Sequence, residues 1–173
     1  MGTNPISKKH WTEWLAQSLT RLQPDERPRL AVVGIGHVLR GDDAAGVAVA
    51  RALQPYAHEH LLVVDAGHAP ENHTGPLRRF APDLVLLVDT AQMNEPPGMV
   101  RWLPWQETSG VSASTHTMPP YVIARYLTAE LGCEVALIGI QPADTTLGAP
   151  LSPAVQQTVY AVAQALISTT SEK

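Results

Sequence analysis

The stretch "RLAVVGIGHVLRGDDAAGVAVARAL" (29–53) contains the pattern that decides the fold. It begins with a branched, apolar run at 29–36, passes through a glycine-rich turn, and continues with small apolar residues at helical spacing over 43–53. Continuous rather than alternating hydrophobicity is typical of a strand that is covered on both faces, as in a parallel sheet between helix layers. The stretch therefore predicts a strand–turn–helix unit of an α/β protein.

The same kind of apolar run recurs along the chain. Three more runs predict buried strands at 60–67, 84–91 and 134–142, and an alternating run at 99–104 predicts an edge strand of undetermined direction.

Two further segments have apolar residues at helical spacing and predict helices over 119–131 and 152–167. Ser152 and Pro153 suit the N-cap and the first position of the second of these helices. Alternating strands and helices predict the α/β class, as a three-layer α/β/α sandwich around a mostly parallel sheet of about five strands.

Residues 1–28 precede this pattern and are predicted to be an N-terminal extension, with 29–173 as a single α/β domain. The extension predicts a helix that Ser7 could cap and that ends before Pro24. Its apolar side contains two tryptophans, Trp11 and Trp14. Two interpretations stay open: the helix packs on the flank of its own domain, or it docks a partner.

Bulk properties exclude several classes of function. The chain has 173 residues, a net charge of -4 and no dense Lys/Arg block, so nucleic acid and anionic membranes are poor partners. One cysteine, Cys133, allows neither a disulfide framework nor a cysteine-rich zinc site, and we interpret it as a packing residue. The chain has neither an apolar run of about 18 residues nor a signal core, so a cytoplasmic location is expected.

Acidic side chains follow the predicted strands. Asp65 and Asp89 end two of them, the pair Asp42–Asp43 follows the first, and His116 precedes the helix at 119–131. The carboxyl ends of parallel strands meet at one edge of the sheet, where two carboxylates and an imidazole could bind a divalent metal such as nickel or zinc. Taken singly, Asp43 could be only a helix cap or dipole partner, and a lone His116 could be structural. Asp42 is the better candidate for the cap.

The glycine-rich turn also allows a phosphate-binding interpretation, which the spacing disfavours. The third glycine falls at 41 rather than 39, no Walker lysine follows, and Asp65 lies too far along for a ribose-binding acid. Two aspartates at the helix start would repel a pyrophosphate.

Five motifs together resemble a known family. "GIGHVLRGDDAAG", "VVDAGHAPEN", "LLVDTAQM", "STHTMPP" and "LIGIQP" occur in the order and spacing of the nickel–iron hydrogenase maturation proteases. The resemblance covers 29–167, and it is strongest to the branch that processes the large subunit of the formate hydrogenlyase hydrogenase.

The resemblance implies an endopeptidase that removes the C-terminal tail of a hydrogenase large-subunit precursor after nickel insertion. It implies Asp43, Asp89 and His116 as metal ligands and catalytic residues, but not Asp42. It also implies that the nickel ion arrives with the substrate and that no organic cofactor is needed. The expected partner is the precursor, and the expected state is a monomer.

Two positions depart from the family's pattern. His37 stands where the family has Asn, and we expect it either to hold the loop through a ring nitrogen or to add a ligand. Ala44 stands where the family has Gly, and we expect it to be tolerated because a first helical turn needs no positive φ. His68, within "DAGHAPEN", is a candidate to line the substrate cleft.

Two other functions compete with the endopeptidase. A catalytically silent module that checks for nickel would use the same three ligands, and cleavage of a precursor tail separates it from the enzyme. A nucleotide-binding α/β protein is the other alternative, and the glycine spacing, which does not match the nucleotide-binding motif, argues against it.

Overall fold

The computed structural model describes residues 8–106 and 118–171. The strands are β1 (Leu30–Ile35), β2 (Leu61–Gly67), β3 (Leu84–Thr90), β4 (Val100–Pro104) and β5 (Glu134–Ile140). The α-helices are α1 (Lys8–Leu22), α2 (Ala45–Leu53), α3 (Thr74–Phe80), α4 (Pro120–Leu131) and α5 (Pro153–Thr170), and a 3-10 turn (Gly41–Ala44) leads into α2.

The five strands form one sheet in the order β2–β1–β3–β5–β4. All neighbouring pairs are parallel except β4 and β5, which are antiparallel. The predicted edge strand is thus confirmed, and its direction is now known. Because the four parallel strands point the same way, their carboxyl ends share one edge of the sheet.

Helices cover both faces of the sheet, as side chains on successive strand residues show. Leu84, Leu86 and Val88 of β3 lie in a buried cluster with residues of α1, α2 and α5. Val85 and Leu87, which point to the other face, lie in a second cluster with residues of α3 and α4. This arrangement confirms the predicted three-layer sandwich.

Helix α3 was not predicted from the sequence. It has only seven residues, and its Gly75 and Pro76 suggest a turn rather than a helix. Pro76 is accommodated because a proline in a first turn removes no intrahelical hydrogen bond. Packing against the rest of the fold stabilises this helix where its own sequence does not, since Leu77 is buried in the second cluster.

Helix α1 packs on the sheet beside β4. Trp11 and Leu15 are 2% and 0% exposed and belong to the first core cluster. Arg21 at the end of the helix forms an ion pair of 2.6 Å with Glu134. The helix therefore packs on the flank of the fold, as the first of the two interpretations expected. Its suggested cap, Ser7, lies outside the described residues, and the domain division at residue 28 stays a prediction.

Candidate functional site

Close packing of two glycines brings helix α2 against the sheet. A Cβ atom on Gly46 would lie 2.1 Å from the carbonyl oxygen of Val88 and 2.3 Å from that of Ile35. A Cβ on Gly34 would lie 2.2 Å from the carbonyl oxygen of Gly46. Contacts of 2 Å leave no room for a side chain, so only glycine permits this approach. The start of α2 consequently lies directly over the ends of β1 and β3.

After β1 the chain makes a turn in which Gly36 lies against the backbone of Asp43. Gly36 has a φ of +152°, and a Cβ there would lie 1.8 Å from the carbonyl oxygen of Asp43. The backbone N–H of His37 donates a hydrogen bond of 3.1 Å to Oδ2 of Asp43. A phosphate-binding turn leaves such amides for the ligand, whereas here the protein's own carboxylate accepts the bond. This contact weakens the nucleotide interpretation further.

Asp43 and Asp89 are brought together at this edge, each only 3% exposed. The hydroxyl of Thr90 donates a hydrogen bond of 3.1 Å to Oδ1 of Asp43. The backbone N–H of Thr90 donates one of 2.8 Å to Oδ1 of Asp89. Two of the three predicted ligands are therefore neighbours, linked through one residue.

The electrostatics of this pair favour a cation. Burial raises the pKa of Asp89 well above its ordinary value, and the negative charge of Asp43 raises it further, while hydrogen bonds from Thr90 act in the opposite direction. Among the described residues, no ion pair involves either carboxylate. Two buried carboxylates that repel each other are stabilised by a positive ion near both. The donor set fits a divalent metal.

His116, the third predicted ligand, lies outside the described residues. Within the described ranges, no group of three or more His, Cys, Asp or Glu side chains could hold a metal. Asp65, the remaining strand-end acid, pairs at 2.9 Å with the exposed Arg51 and also accepts a bond from the backbone N–H of Gly67. It therefore takes part in a local surface contact of its own.

Asp42 does not cap a helix, and that prediction is wrong. Neither the 3-10 turn nor α2 has a side-chain cap. The carboxylate of Asp42 is fully buried and instead accepts hydrogen bonds from the loop between β5 and α5. The donors are the backbone N–H groups of Ala143, Asp144 and Ser152, and the Ser152 hydroxyl. Ser152 does hold the predicted N-cap position of α5, but its hydroxyl binds Asp42.

These donors determine the charge state of Asp42. Burial alone would raise the pKa of this carboxyl, but the hydrogen bonds from Ser152, Asp144 and Ala143 outweigh it and lower the pKa below 3.8. Asp42 is therefore ionised at neutral pH and joins two loops of the site. Asp43, its neighbour in sequence, has different partners and accepts hydrogen bonds from Thr90 and His37.

The two departures from the family's pattern have clear local explanations. The backbone N–H of Leu39 donates a bond of 3.2 Å to Nδ1 of His37, so this ring holds the loop as the first alternative expected. The ring of His37 also stacks on that of His68, with centroids 5.5 Å apart. Ala44 has φ −76° and ψ −7°, so it is tolerated without strain, as predicted.

Cys133 is a packing residue, as predicted. It is buried in the second core cluster, and burial raises the pKa of its thiol to about 11. A thiol of that pKa is protonated at neutral pH and is a poor nucleophile. The described residues also contain no helix long and apolar enough to cross a membrane.

Comparison with known proteins defines the class of this chain. The hydrogenase maturation protease (HycI) family model matches residues 47–169. A Methanocaldococcus jannaschii protein assigned to the hydrogenase maturation proteases is 34% identical over 122 residues, which are 66% of this chain and 72% of that protein. The hydrogenase 3 maturation protease of Escherichia coli K12 is 30% identical over 133 residues, which are 76% of this chain and 85% of that protein.

Solved structures agree. The crystal structure of the [NiFe] hydrogenase maturation protease HycI from Thermococcus kodakarensis superposes with a TM-score of 0.79 at 29% identity, covering 90% of this chain and 97% of that one. This chain belongs to the hydrogenase maturation protease family, and the HycI-type matches confirm the branch that its motifs indicated. It is accordingly a peptidase of hydrogenase maturation.

Proposed function

We propose that this protein removes the C-terminal tail of a nickel–iron hydrogenase large-subunit precursor after nickel insertion, and that it recognises the nickel bound to that substrate. The observation that supports the proposal is the buried pair Asp43 and Asp89, which has no cationic partner among the described residues. Such a pair is poorly stable alone and is suited to meet a cation that comes with the substrate.

The proposed ligands from this chain are Asp43, Asp89 and His116. A set of carboxylates and imidazole without thiolate binds nickel modestly by itself, and it binds better when sulfur ligands share the ion. Cysteines of the precursor would supply those sulfurs. In this scheme an empty precursor lacks the group that Asp43 and Asp89 recognise, so the protease distinguishes loaded from unloaded substrate.

Hydrolysis adds the oxygen of water to the scissile carbonyl carbon, breaks the C–N bond and delivers a proton to the leaving nitrogen. The substrate's nickel positions the precursor, and either a metal-activated water or a metal-polarised carbonyl starts the reaction. Asp43, Asp89 and His116 act as ligands or as the base that takes the water proton. No organic cofactor is required, and the protein acts as a cytoplasmic monomer.

The test is mass determination on the cognate large-subunit precursor, with and without nickel, after incubation with the protein. We expect a C-terminal tail to be lost from the nickel-loaded form alone. Asp43→Ala and Asp89→Ala should slow this cleavage by about a hundredfold or more, which is the usual loss when a ligand or base is removed. Asp65→Ala is the matched control, because its carboxylate pairs with Arg51 at the surface.

Each result has a definite meaning. Normal cleavage by Asp89→Ala would remove Asp89 from the site, and equal cleavage of both precursor forms would remove the role of nickel. Binding of the loaded precursor without cleavage would assign the protein to the silent nickel-checking module.

A further inference from the structure

Exposed apolar side chains gather on the two loops that Asp42 joins. Val38 and Leu39 lie on the loop between β1 and α2 and are 47% and 62% exposed. Leu147 lies on the loop between β5 and α5 and is 65% exposed. Soluble proteins commonly expose single apolar residues, but several on adjoining loops beside a buried carboxylate pair suggest an interaction site.

The two loops form one fixed unit. The backbone N–H of Gly148 donates a bond of 2.7 Å to the carbonyl oxygen of Leu39, so the segments that carry Leu39 and Leu147 run next to each other. Further backbone bonds join Gly41 to Ala149 and Asp42 to Asp144. Because the loops are already ordered, binding there costs little conformational entropy.

This unit is continuous with the carboxylate pair. Leu39 donates its N–H to the ring of His37, and His37 donates its own N–H to Asp43. The exposed side chains are thus attached to the same turn that orients Asp43. A polypeptide whose scissile bond lies at Asp43 and Asp89 therefore meets the same turn that carries Val38 and Leu39.

We propose that Val38, Leu39 and Leu147 form a docking surface for apolar side chains of the hydrogenase large-subunit precursor. This inference rests on the proposed function, because the continuity with Asp43 identifies the occupant as the molecule being cleaved. A second copy of this chain fits less well, since three aliphatic side chains offer far less than the roughly 800 Å² per partner of a standard interface. Contact at this surface adds affinity for the precursor polypeptide, beyond the affinity that recognition of its nickel supplies.

The variants that test it are Leu39→Ser, Leu147→Ser and the double variant. Both leucines are largely exposed, so folding should be unaffected, and thermal unfolding checks this. Tyr56→Ser is the matched control: Tyr56 is 50% exposed but lies between α2 and β2, at the opposite edge of the sheet. KM and kcat are measured for cleavage of the nickel-loaded precursor. Its Kd is measured in an Asp43→Ala background, in which cleavage should be too slow to deplete the precursor during the measurement.

We expect each serine variant to raise KM and Kd about tenfold and to leave kcat unchanged, with Tyr56→Ser resembling the parent. If the double variant keeps the parent's KM and Kd while cleavage proceeds, the docking surface is wrong and the proposed function stands. If the variants lose binding but the parent never cleaves, the surface stands and the proposed function fails. A self-associating parent that becomes monomeric in Leu39→Ser would assign the surface to a second copy and overturn the proposal.

Discussion

The hydroxyl of Thr90 donates a hydrogen bond of 3.1 Å to Oδ1 of Asp43, a residue 47 positions earlier in the chain. The same residue donates its backbone N–H to Asp89, which precedes it. Thr90 is 5% exposed, so water does not replace these bonds readily. One residue at the end of β3 therefore orients both carboxylates, although it carries no charge and was not among the predicted site residues.

Replacing this hydroxyl should impair catalysis more than stability. Thr90→Val keeps the branched shape but removes the bond to Asp43, and we expect kcat/KM for precursor cleavage to fall about tenfold or more, because small displacements of a reacting group are costly. Thr90→Ser keeps the hydroxyl and should retain most activity, although loss of the buried methyl group costs about 1 kcal/mol of unfolding free energy. Cleavage assays and thermal unfolding, run on the same preparations, measure both effects. Equal cleavage by Val and Ser variants would show that the hydroxyl does not position Asp43.

Asp89→Asn should stabilise the nickel-free protein at neutral pH. Burial raises the pKa of Asp89 in the folded state, so the folded protein holds this proton more tightly than the unfolded chain does. Asp89 therefore makes an unfavourable contribution to the free energy of folding. This contribution is absent below pH 3.8, the ordinary pKa of the carboxyl, and it grows as the pH rises towards the raised pKa of the folded state. The variant's advantage in thermal unfolding should therefore grow with pH over that interval and then level off. Asp65→Asn, at the surface, should show no such gain, and a less stable Asp89→Asn at neutral pH would contradict the argument.

Asp42→Asn should destabilise the fold, with the opposite dependence on pH. Hydrogen bonds hold the pKa of Asp42 below 3.8, so its contribution is present above that pH and is lost as the pH falls through the lowered value. Replacing a buried, ionised acceptor of several hydrogen bonds should cost about 3 kcal/mol of unfolding free energy at neutral pH. Chemical denaturation of both proteins measures this difference, which should narrow below pH 3.8. The exposed Asp25→Asn is the control, and a constant difference at all pH values would show that ionisation is irrelevant.

Gly46→Ala should disrupt the contact between α2 and the sheet. The added methyl group would lie 2.1 Å from the carbonyl oxygen of Val88, so the helix must move, at a cost of about 3 kcal/mol or more. Gly75→Ala in α3 is the matched control, since its nearest neighbour lies 3.5 Å away. There alanine should gain about 0.5–1 kcal/mol from helix propensity. Thermal unfolding of the two variants should give opposite signs, and a neutral Gly46→Ala would show that the helix can shift freely.

Much of the fold could be predicted because its strands are buried on both faces. The run at 84–91 corresponds to Leu84–Thr90, and that at 60–67 to Leu61–Gly67, because continuous branched residues leave few alternatives. Helix α3 could not be predicted, since seven residues with Gly75 and Pro76 have too little periodicity.

That Asp43 and Asp89 lie at one edge of the sheet could be predicted from the strand ends, whereas contacts with distant partners could not. The position of Asp89 after an apolar run indicated a functional carboxylate, and Asp43 followed from the family resemblance. Asp42 was assigned to the wrong partner because its donors lie 101 to 110 residues further along the chain. The only signal for Thr90 was a hydroxyl residue directly after a strand-end acid.

The distance in sequence between Asp42 and its donors has a consequence for biosynthesis. Asp42 leaves the ribosome long before Ala143, Asp144 and Ser152 have been made, so its carboxylate has none of these partners in the growing chain. Strand β5, which separates β3 from β4 in the sheet, also emerges late. The edge that carries Asp43 and Asp89 is therefore completed only after residues 143–152 have been made, so a nascent chain that has not yet reached them lacks this support for Asp42.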